Sequence, residues 1–247
     1  MSRLDPRLLL QGYASGIFPM ADSRDAAELF WVEPRNRAVI PLHKFHMSRS
    51  LRRTLRSGRF TVTRDRDFAA VIRACADREE TWINAELENA MLALHGSGYA
   101  HSIEVFWAGR LVGGLYGVKL GRAFFGESMF SLETDASKVA LAWLVARLRV
   151  GNFILLDCQF MTDHLASLGA VSIPRETYVA LLATALGGGG SAGAGAGAAV
   201  LPGTGGAAVS ESPPDFGALD RLLEVTGAAG AAGPAGYVIS QLLGQTS

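Results

Sequence analysis

The chain has 247 residues, of which 49% are hydrophobic and 19% charged; 23 Lys+Arg balance 23 Asp+Glu, for a formal net charge of zero. That apolar content excludes a wholly disordered chain and supplies a core for one large domain or two small ones. Zero net charge gives no overall attraction to a polyanion, and no window holds the 18 apolar residues of a membrane span. Cys75 and Cys158 make neither a disulfide framework nor a C-x-x-C pair. The leucines at 8–10 are too short a run for a signal-peptide core. These observations predict a soluble cytoplasmic protein with reduced thiols.

In chain order, residues 8–16 read as a helix closed by Gly16, followed by Ile17-Phe18-Pro19. Residues 38–41 read as a short strand and 48–57 as a basic helix that stops at Gly58. A strand is expected over 60–63, a helix over 67–76 capped at Asp67, and an amphipathic helix over 84–95 that ends at Gly96. Three strands follow, at 102–107, 110–120 and 123–125, with Ala108-Gly109 as a two-residue hairpin turn. A helix over 135–150, capped by Thr134 or Asp135, stops at Gly151. The apolar run 153–160 has the length of a buried central strand. A helical turn over 163–168 and a helix over 175–186 close the body. This β-β-β-α-β-α order predicts a mixed sheet with helices on its faces.

Composition changes sharply after residue 186. From Gly187 to Val209, 17 of 23 residues are Gly or Ala and none is charged, which reads as a flexible linker, 187–214, closed by Pro213-Pro214. The tail, 215–247, is expected to dock on the body as a short helix around Leu219–Val225 and a strand at Tyr237-Val238-Ile239.

The zero net charge is an average of unlike parts. Residues 1–80 carry net +5, residues 81–186 net −2 and residues 187–247 net −3. Ten basic residues lie between Arg35 and Arg66 against one acid, Asp65. On the 48–57 helix, Arg49, Arg52, Arg53 and Arg56 fall at i, i+3, i+4 and i+7, which is one face. Such a face is either solvated or the footprint of a phosphate backbone.

Three groups of residues carry chemical potential. In Asp157-Cys158-Gln159, a strand's period of two puts Asp157 and Gln159 on one face, and a carboxylate in that apolar run is costly unless paired. It is either a structural acid or part of a site. In Phe124-Phe125-Gly126-Glu127-Ser128-Met129-Phe130-Ser131, Gly126 lets the chain bend so that Glu127 leaves the sheet, toward either solvent or an apolar pocket. Leu141, Leu144 and Leu148 form one apolar helical stripe, the ordinary pattern of core packing. There is no G-x-S-x-G elbow and no Walker A loop, and His43 and His46 lack further ligands, so neither a metal nor another cofactor is expected.

The ordered set of short segments resembles the leucyl/phenylalanyl-tRNA–protein transferase family. It comprises Gly16-Ile17-Phe18-Pro19, Ser48-Arg49-Ser50, Asp77-Arg78-Glu79-Glu80-Thr81-Trp82-Ile83, Ala100-His101-Ser102-Ile103-Glu104-Val105, Leu111-Val112-Gly113-Gly114-Leu115-Tyr116-Gly117-Val118, Gly126-Glu127-Ser128-Met129-Phe130-Ser131, Ala136-Ser137-Lys138, Asp157-Cys158-Gln159 and Ala166-Ser167-Leu168-Gly169-Ala170. The resemblance implies an α+β protein: a small N-terminal α/β domain, 1–37, ahead of an N-acetyltransferase-like catalytic domain, 38–186, with a mixed β-sheet flanked by helices. It implies transfer of Leu or Phe (also Met) from aminoacyl-tRNA to the α-amine of proteins beginning with Arg or Lys, which creates an N-degron for degradation. Aminoacyl-tRNA and such acceptor proteins are the implied partners, with no membrane and no cofactor.

By the same resemblance, Asp157 and Gln159 match the catalytic pair and Glu127, beside Ser128 and Met129, the pocket acid. Leu115, Phe124, Met129, Leu141, Leu144, Leu148 and Leu156 fall where the family lines its Leu/Phe pocket. Tyr13 and Trp82 match positions near the terminal adenosine, and Met20 stands where many members have Trp. Arg49, Arg52, Arg53 and Arg56 are the expected tRNA contacts. An acyl-CoA-dependent N-acyltransferase and a non-catalytic tRNA-binding module are the alternatives. Against the first, Arg110-Leu111-Val112-Gly113-Gly114-Leu115 begins like a pyrophosphate loop and departs from it at the last position.

Overall fold

The computed structural model describes residues 4–187, 212–228 and 232–244. Most of the Gly/Ala run read as a linker lies outside them. Helix α1 (Pro6–Ala14) starts at Asp5, whose carboxylate accepts from the Arg7 N–H, with Pro6 in its first turn. A two-stranded antiparallel ribbon follows, β1 (Phe18–Met20) and β2 (Phe30–Val32). After β3 (Asn36–Val39) come a 3-10 turn (Leu42–Lys44) and helix α2 (Arg49–Arg56), capped by the Ser48 hydroxyl at Leu51 N–H. Strand β4 (Thr61–Arg64) leads to α3 (Phe68–Ala76) and α4 (Ala85–Gly96), capped by Asp67 and Asn84.

The centre is an antiparallel run of β5 (Ala100–Trp107), β6 (Arg110–Leu120) and β7 (Ala123–Ser131). Ala108 and Gly109 both take positive φ, the conformation a two-residue hairpin turn needs. Helix α5 (Ala136–Val150) crosses over to β8 (Leu155–Gln159). Then come α6 (Asp163–Ser167), β9 (Val171–Pro174) and α7 (Arg175–Ala185). The tail holds α8 (Ala218–Val225) and α9 (Ala232–Gly244).

The seven-stranded sheet runs β4-β5-β6-β7-β8-β3-β9. Every neighbouring pair is antiparallel except β7–β8, which is parallel because α5 carries the chain back across the sheet. This is the expected α+β class with a mixed sheet flanked by helices. Side-chain alternation sends β6 residues to opposite cores. Leu115 joins Phe124, Leu141 and Leu144 under α5, while Tyr116 and Val118 join Leu9, Tyr13, Val71 and Met91 under α1, α3 and α4.

Several elements differ from the sequence reading. Strands β1, β2 and β9 were not foreseen: at three or four residues they carry no alternation of their own and exist through pairing, β1 with β2 and β9 with β3. Strand β7 continues to Ser131, so Glu127 stays within the sheet. The tail strand expected at Tyr237-Val238-Ile239 is helical, inside α9, where Ile239 and Leu243 face the core. Phe216, just ahead of α8, stacks on Phe124 with ring centroids 5.5 Å apart and accepts through its carbonyl from the buried Arg147. Asp220 on α8 binds Arg147 with both oxygens and pairs with Arg64. The tail is thereby anchored to the back of α5 and to β4.

Candidate active site

The parallel pairing of β7 with β8 ends at Phe125 opposite Asp157. Beyond that point the strands part, and a cavity of about 230 Å³ opens between them. Gly126, Glu127, Ser128 and Met129 form one wall, Cys158, Gln159 and Phe160 the other, and Leu141 and Leu144 of α5 the floor. Leu115, Leu156, Leu165, Met20, Tyr116 and Trp82 complete an apolar lining, with Arg78, Thr162 and His164 also contributing. A cavity of roughly 150 Å³ accepts benzene, so there is room here for a leucyl or benzyl side chain.

Bulges on both strands place the polar groups. Tyr116 pairs with Ser128 and Gly117 with Gly126, so Glu127 is an extra residue in β7. Ala38 pairs with Gln159 and Val39 with Asp157, so Cys158 is extra in β8. Gln159 itself has φ 62°, a left-handed conformation that costs energy for a non-glycine residue and that the surroundings must enforce. The enforcing contact is local: the Gln159 N–H donates to Asp157 Oδ1 at 2.8 Å.

Asp157 is fully buried and does not reach the cavity wall. The Arg37 guanidinium, 1% exposed, donates from Nε and Nη2 to both its oxygens at 2.7–3.0 Å, and Tyr178 Oη donates to Oδ2 at 2.9 Å. Burial pulls the Arg37 pKa down, but the bonds and charge of Asp157 outweigh it and leave the pKa raised. Arg37 lies 4.6 Å from the ring centroids of both Phe18 and Tyr178. This pairing answers the cost of a carboxylate within an apolar strand.

Glu127 Oε1 accepts from Tyr13 Oη at 2.9 Å and from Gln159 Nε2 at 2.8 Å. Burial raises its pKa to about 7; the bonds from Tyr13 and Gln159 pull it down, nearby Asp157 pushes it up and Arg37 pulls it down. Because Nε2 of Gln159 is committed to Glu127, its carbonyl Oε1 is left as an acceptor with no partner among the described residues.

Of the residues singled out in the sequence, Gln159, Glu127, Ser128, Met129, Leu115, Leu141, Leu144, Leu156 and Trp82 meet at the cavity. Phe124 and Leu148 do not reach its wall: both are fully buried in the core beneath it. Tyr13 is also off the wall and acts on it through Glu127. Arg37 was missed as a site residue because it looked like one more member of a basic run; the signal was its position at the head of the apolar stretch Ala38-Val39-Ile40. Arg78 stacks 4.6 Å over Trp82 and bonds the Ser128 hydroxyl.

The basic run itself divides. Arg37 is buried, Arg59 pairs with Glu133 and Arg64 with Asp220. Arg49, Arg52, Arg53 and Arg56 are exposed around a shared groove of about 420 Å³, with no carboxylate partner among the described residues.

Residues 39–183 match the family described as leucyl/phenylalanyl-tRNA protein transferase, and residues 2–35 match that family's N-terminal domain. The chain belongs to this family. Named members align closely. The leucyl/phenylalanyl-tRNA–protein transferase of Rhizorhabdus wittichii is 57% identical over the full length of both chains. That of Zymomonas mobilis is 62% identical over 74% of this chain and 70% of its own, and that of Cereibacter sphaeroides 60% over 75% and 86%. The solved structure of L-PGS from Bacillus licheniformis overlaps with a TM-score of 0.37 at 11% identity, covering 63% of this chain and 53% of that one, too weak a likeness to bear on activity. Membership makes the protein an aminoacyltransferase.

Replacing Arg37 by Leu strands the buried Asp157 carboxyl without its cation, so urea denaturation of the transferase variant is expected to show a loss of about 3–5 kcal/mol. The double variant Arg37→Leu/Asp157→Leu is expected to recover at least half of it. Glu127 gives a second test. Its pKa rises from the ordinary 4.5 to about 7 on folding. The native state therefore holds its proton more tightly, and this contribution to stability, full below pH 4.5, is lost as pH rises to about 7. Glu127→Gln should match wild type near pH 4.5 and gain up to about 3 kcal/mol at pH 8.

Proposed function

We propose that the protein moves Leu, Phe or Met from aminoacyl-tRNA to the α-amine of proteins that begin with Arg or Lys, marking them for degradation. The observation that carries this reading is an apolar cavity of side-chain size, lined by one amide carbonyl that has no partner among the described residues. The aminoacyl side chain enters the cavity, with Leu141, Leu144, Leu115, Leu156 and Met129 around it. Burial selects for apolar bulk; because one methylene is worth only about 1–3 kcal/mol, discrimination among apolar side chains rests on cavity shape.

The neutral amine of the acceptor attacks the ester carbonyl. A C–N bond forms, the bond from carbonyl carbon to ribose oxygen breaks, and the departing oxygen takes the amine proton. An amide is too weak a base to hold that proton, so Gln159 Oε1 orients the amine by accepting its hydrogen bond. Glu127 sets the amide's orientation by accepting at Nε2. Asp157 is a positioning residue: it holds the Gln159 backbone in its left-handed conformation and, with its charge matched by Arg37, is not available to an incoming cation. Glu127, whose Oε2 makes no bond within the described residues, is the acid left to draw in the protonated N-terminus, which attacks only after it has lost that proton. The exposed arginines of α2 suit tRNA phosphates.

Mixing the protein, Leu-tRNA and an Arg-starting peptide should add the mass of one leucine to the peptide; no mass gain overturns the reading. Gln159→Ala is expected to lower turnover about 100-fold or more while leaving Leu-tRNA binding intact, since it removes an orienting contact to the reacting nitrogen. Near-normal turnover would sink that assignment. Charge reversal at Arg49, Arg52 and Arg53 should weaken tRNA binding and flatten its dependence on salt.

A further inference from the structure

Helix α9 lies outside the segments that match the family and has no part in the cavity. It packs directly on α2. A Cβ on Gly236 would sit 1.9 Å from the Leu55 carbonyl oxygen, so only glycine allows this approach. Ile239 and Leu243 join Leu51 and Leu55 in one core cluster, which fixes the rotation of α9. Tyr237, 48% exposed, and Gln241, also exposed, then share its outer face at i and i+4.

The two helices meet at an arginine. Arg56 Nε donates to Ser240 Oγ at 2.8 Å, and its guanidinium lies 4.9 Å from the Tyr237 ring centroid. Two side chains of α9 thus hold a cation that projects from the basic face. At the other end, Leu243 and Gly244 join His43, Lys44, His46 and Arg52 around a cavity of about 450 Å³. The charges of the tail are segregated. Asp215 pairs with Arg221, and Asp220 with Arg147 and Arg64. After Glu224 the sequence has no charged residue, so α9 brings no carboxylate next to the four arginines.

We propose that α2 and α9 together form the docking face for the RNA backbone, with Tyr237 and Gln241 as further phosphate or ribose contacts. The inference rests on aminoacyl-tRNA being the donor. Tyr hydroxyls and Gln amides are ordinary donors to nucleic-acid backbones, and arginines held in place lose less entropy on binding. The tail helix belongs to the RNA grip and not to the chemistry.

The full-length protein is compared with Tyr237→Ala/Gln241→Ala and with Gly236→Leu, using two donors, Leu-tRNA and leucyl-adenosine, and an Arg-starting peptide. Both variants are expected to raise KM for Leu-tRNA about tenfold and weaken binding of uncharged tRNA similarly, with transfer from leucyl-adenosine unchanged. Equal losses with both donors would reduce α9 to a structural prop, and unchanged tRNA binding and KM would remove it from the interface; either result overturns the proposal. The surface double variant buries nothing new, so it decides the matter if Gly236→Leu fails to fold. A wild-type protein that binds tRNA but transfers from neither donor would sink the transferase reading, and the binding arm would still judge the docking face.

Discussion

A buried ion pair, Arg37 with Asp157, holds the functional end of the sheet together. Asp157 faces four bonded neighbours: the Arg37 Nε and Nη2 groups, the Tyr178 hydroxyl and the Gln159 N–H. Through the last of these it dictates the backbone of Gln159, and through Arg37 it fixes Phe18, whose ring meets Phe160 edge-on at the cavity rim. Charges this deep in a protein contribute little net stability as a pair, because desolvation offsets their attraction. Their value here is geometric, since neither can move without stranding the other.

Around that pair, the sheet opens a cavity by failing to continue. Two parallel strands separate after Phe125 and Asp157, and each carries a bulge where it leaves the other, at Glu127 and Cys158. Bulges re-aim side chains without ending a strand. They deliver a carboxyl group and an amide to the same place, one hydrogen bond apart, above an aliphatic floor supplied by the crossover helix. On the proposed reading, such a site supplies orientation and an apolar pocket, which matches the modest demands of moving an activated acyl group from an ester to an amine.

Electrostatics divides the molecule more finely than net charge suggests. Of the basic residues crowded between Arg35 and Arg66, Arg37 holds the buried Asp157, Arg59 and Arg64 pair with acids, and four on α2 have no carboxylate partner among the described residues. Two of the acids are committed in the same way: Asp157 to Arg37, and Asp220 to Arg147 and Arg64. What remains at the surface beside α2 is positive, flanked by an uncharged tail helix.

Much of this was legible in the amino-acid sequence. A cap such as Asp67 acts within a turn of its own backbone, and period-two and period-3.6 patterns report local burial, so most elements and the α+β class follow from short-range chemistry. The residues Asp157, Gln159 and Glu127 stood out for the same reason, as polar groups in apolar runs. Their roles did not. That Asp157 serves Arg37 and not the cavity, that Tyr13 reaches Glu127 across 114 residues, and that Phe124 and Leu148 lie beneath the pocket wall depend on which faces meet after folding. Strands β1, β2 and β9 were invisible because so short a strand is defined by its partner. The segment read as a strand from three β-prone residues is helical, inside α9, and packs on α2 at Gly236. Local elements and the inventory of reactive groups could be read from the order of residues, because those rest on neighbours along the chain. Which charges cancel, which way the Gln159 amide is turned and which helix the arginines lean on emerged on folding, because those depend on contacts between residues far apart in the chain.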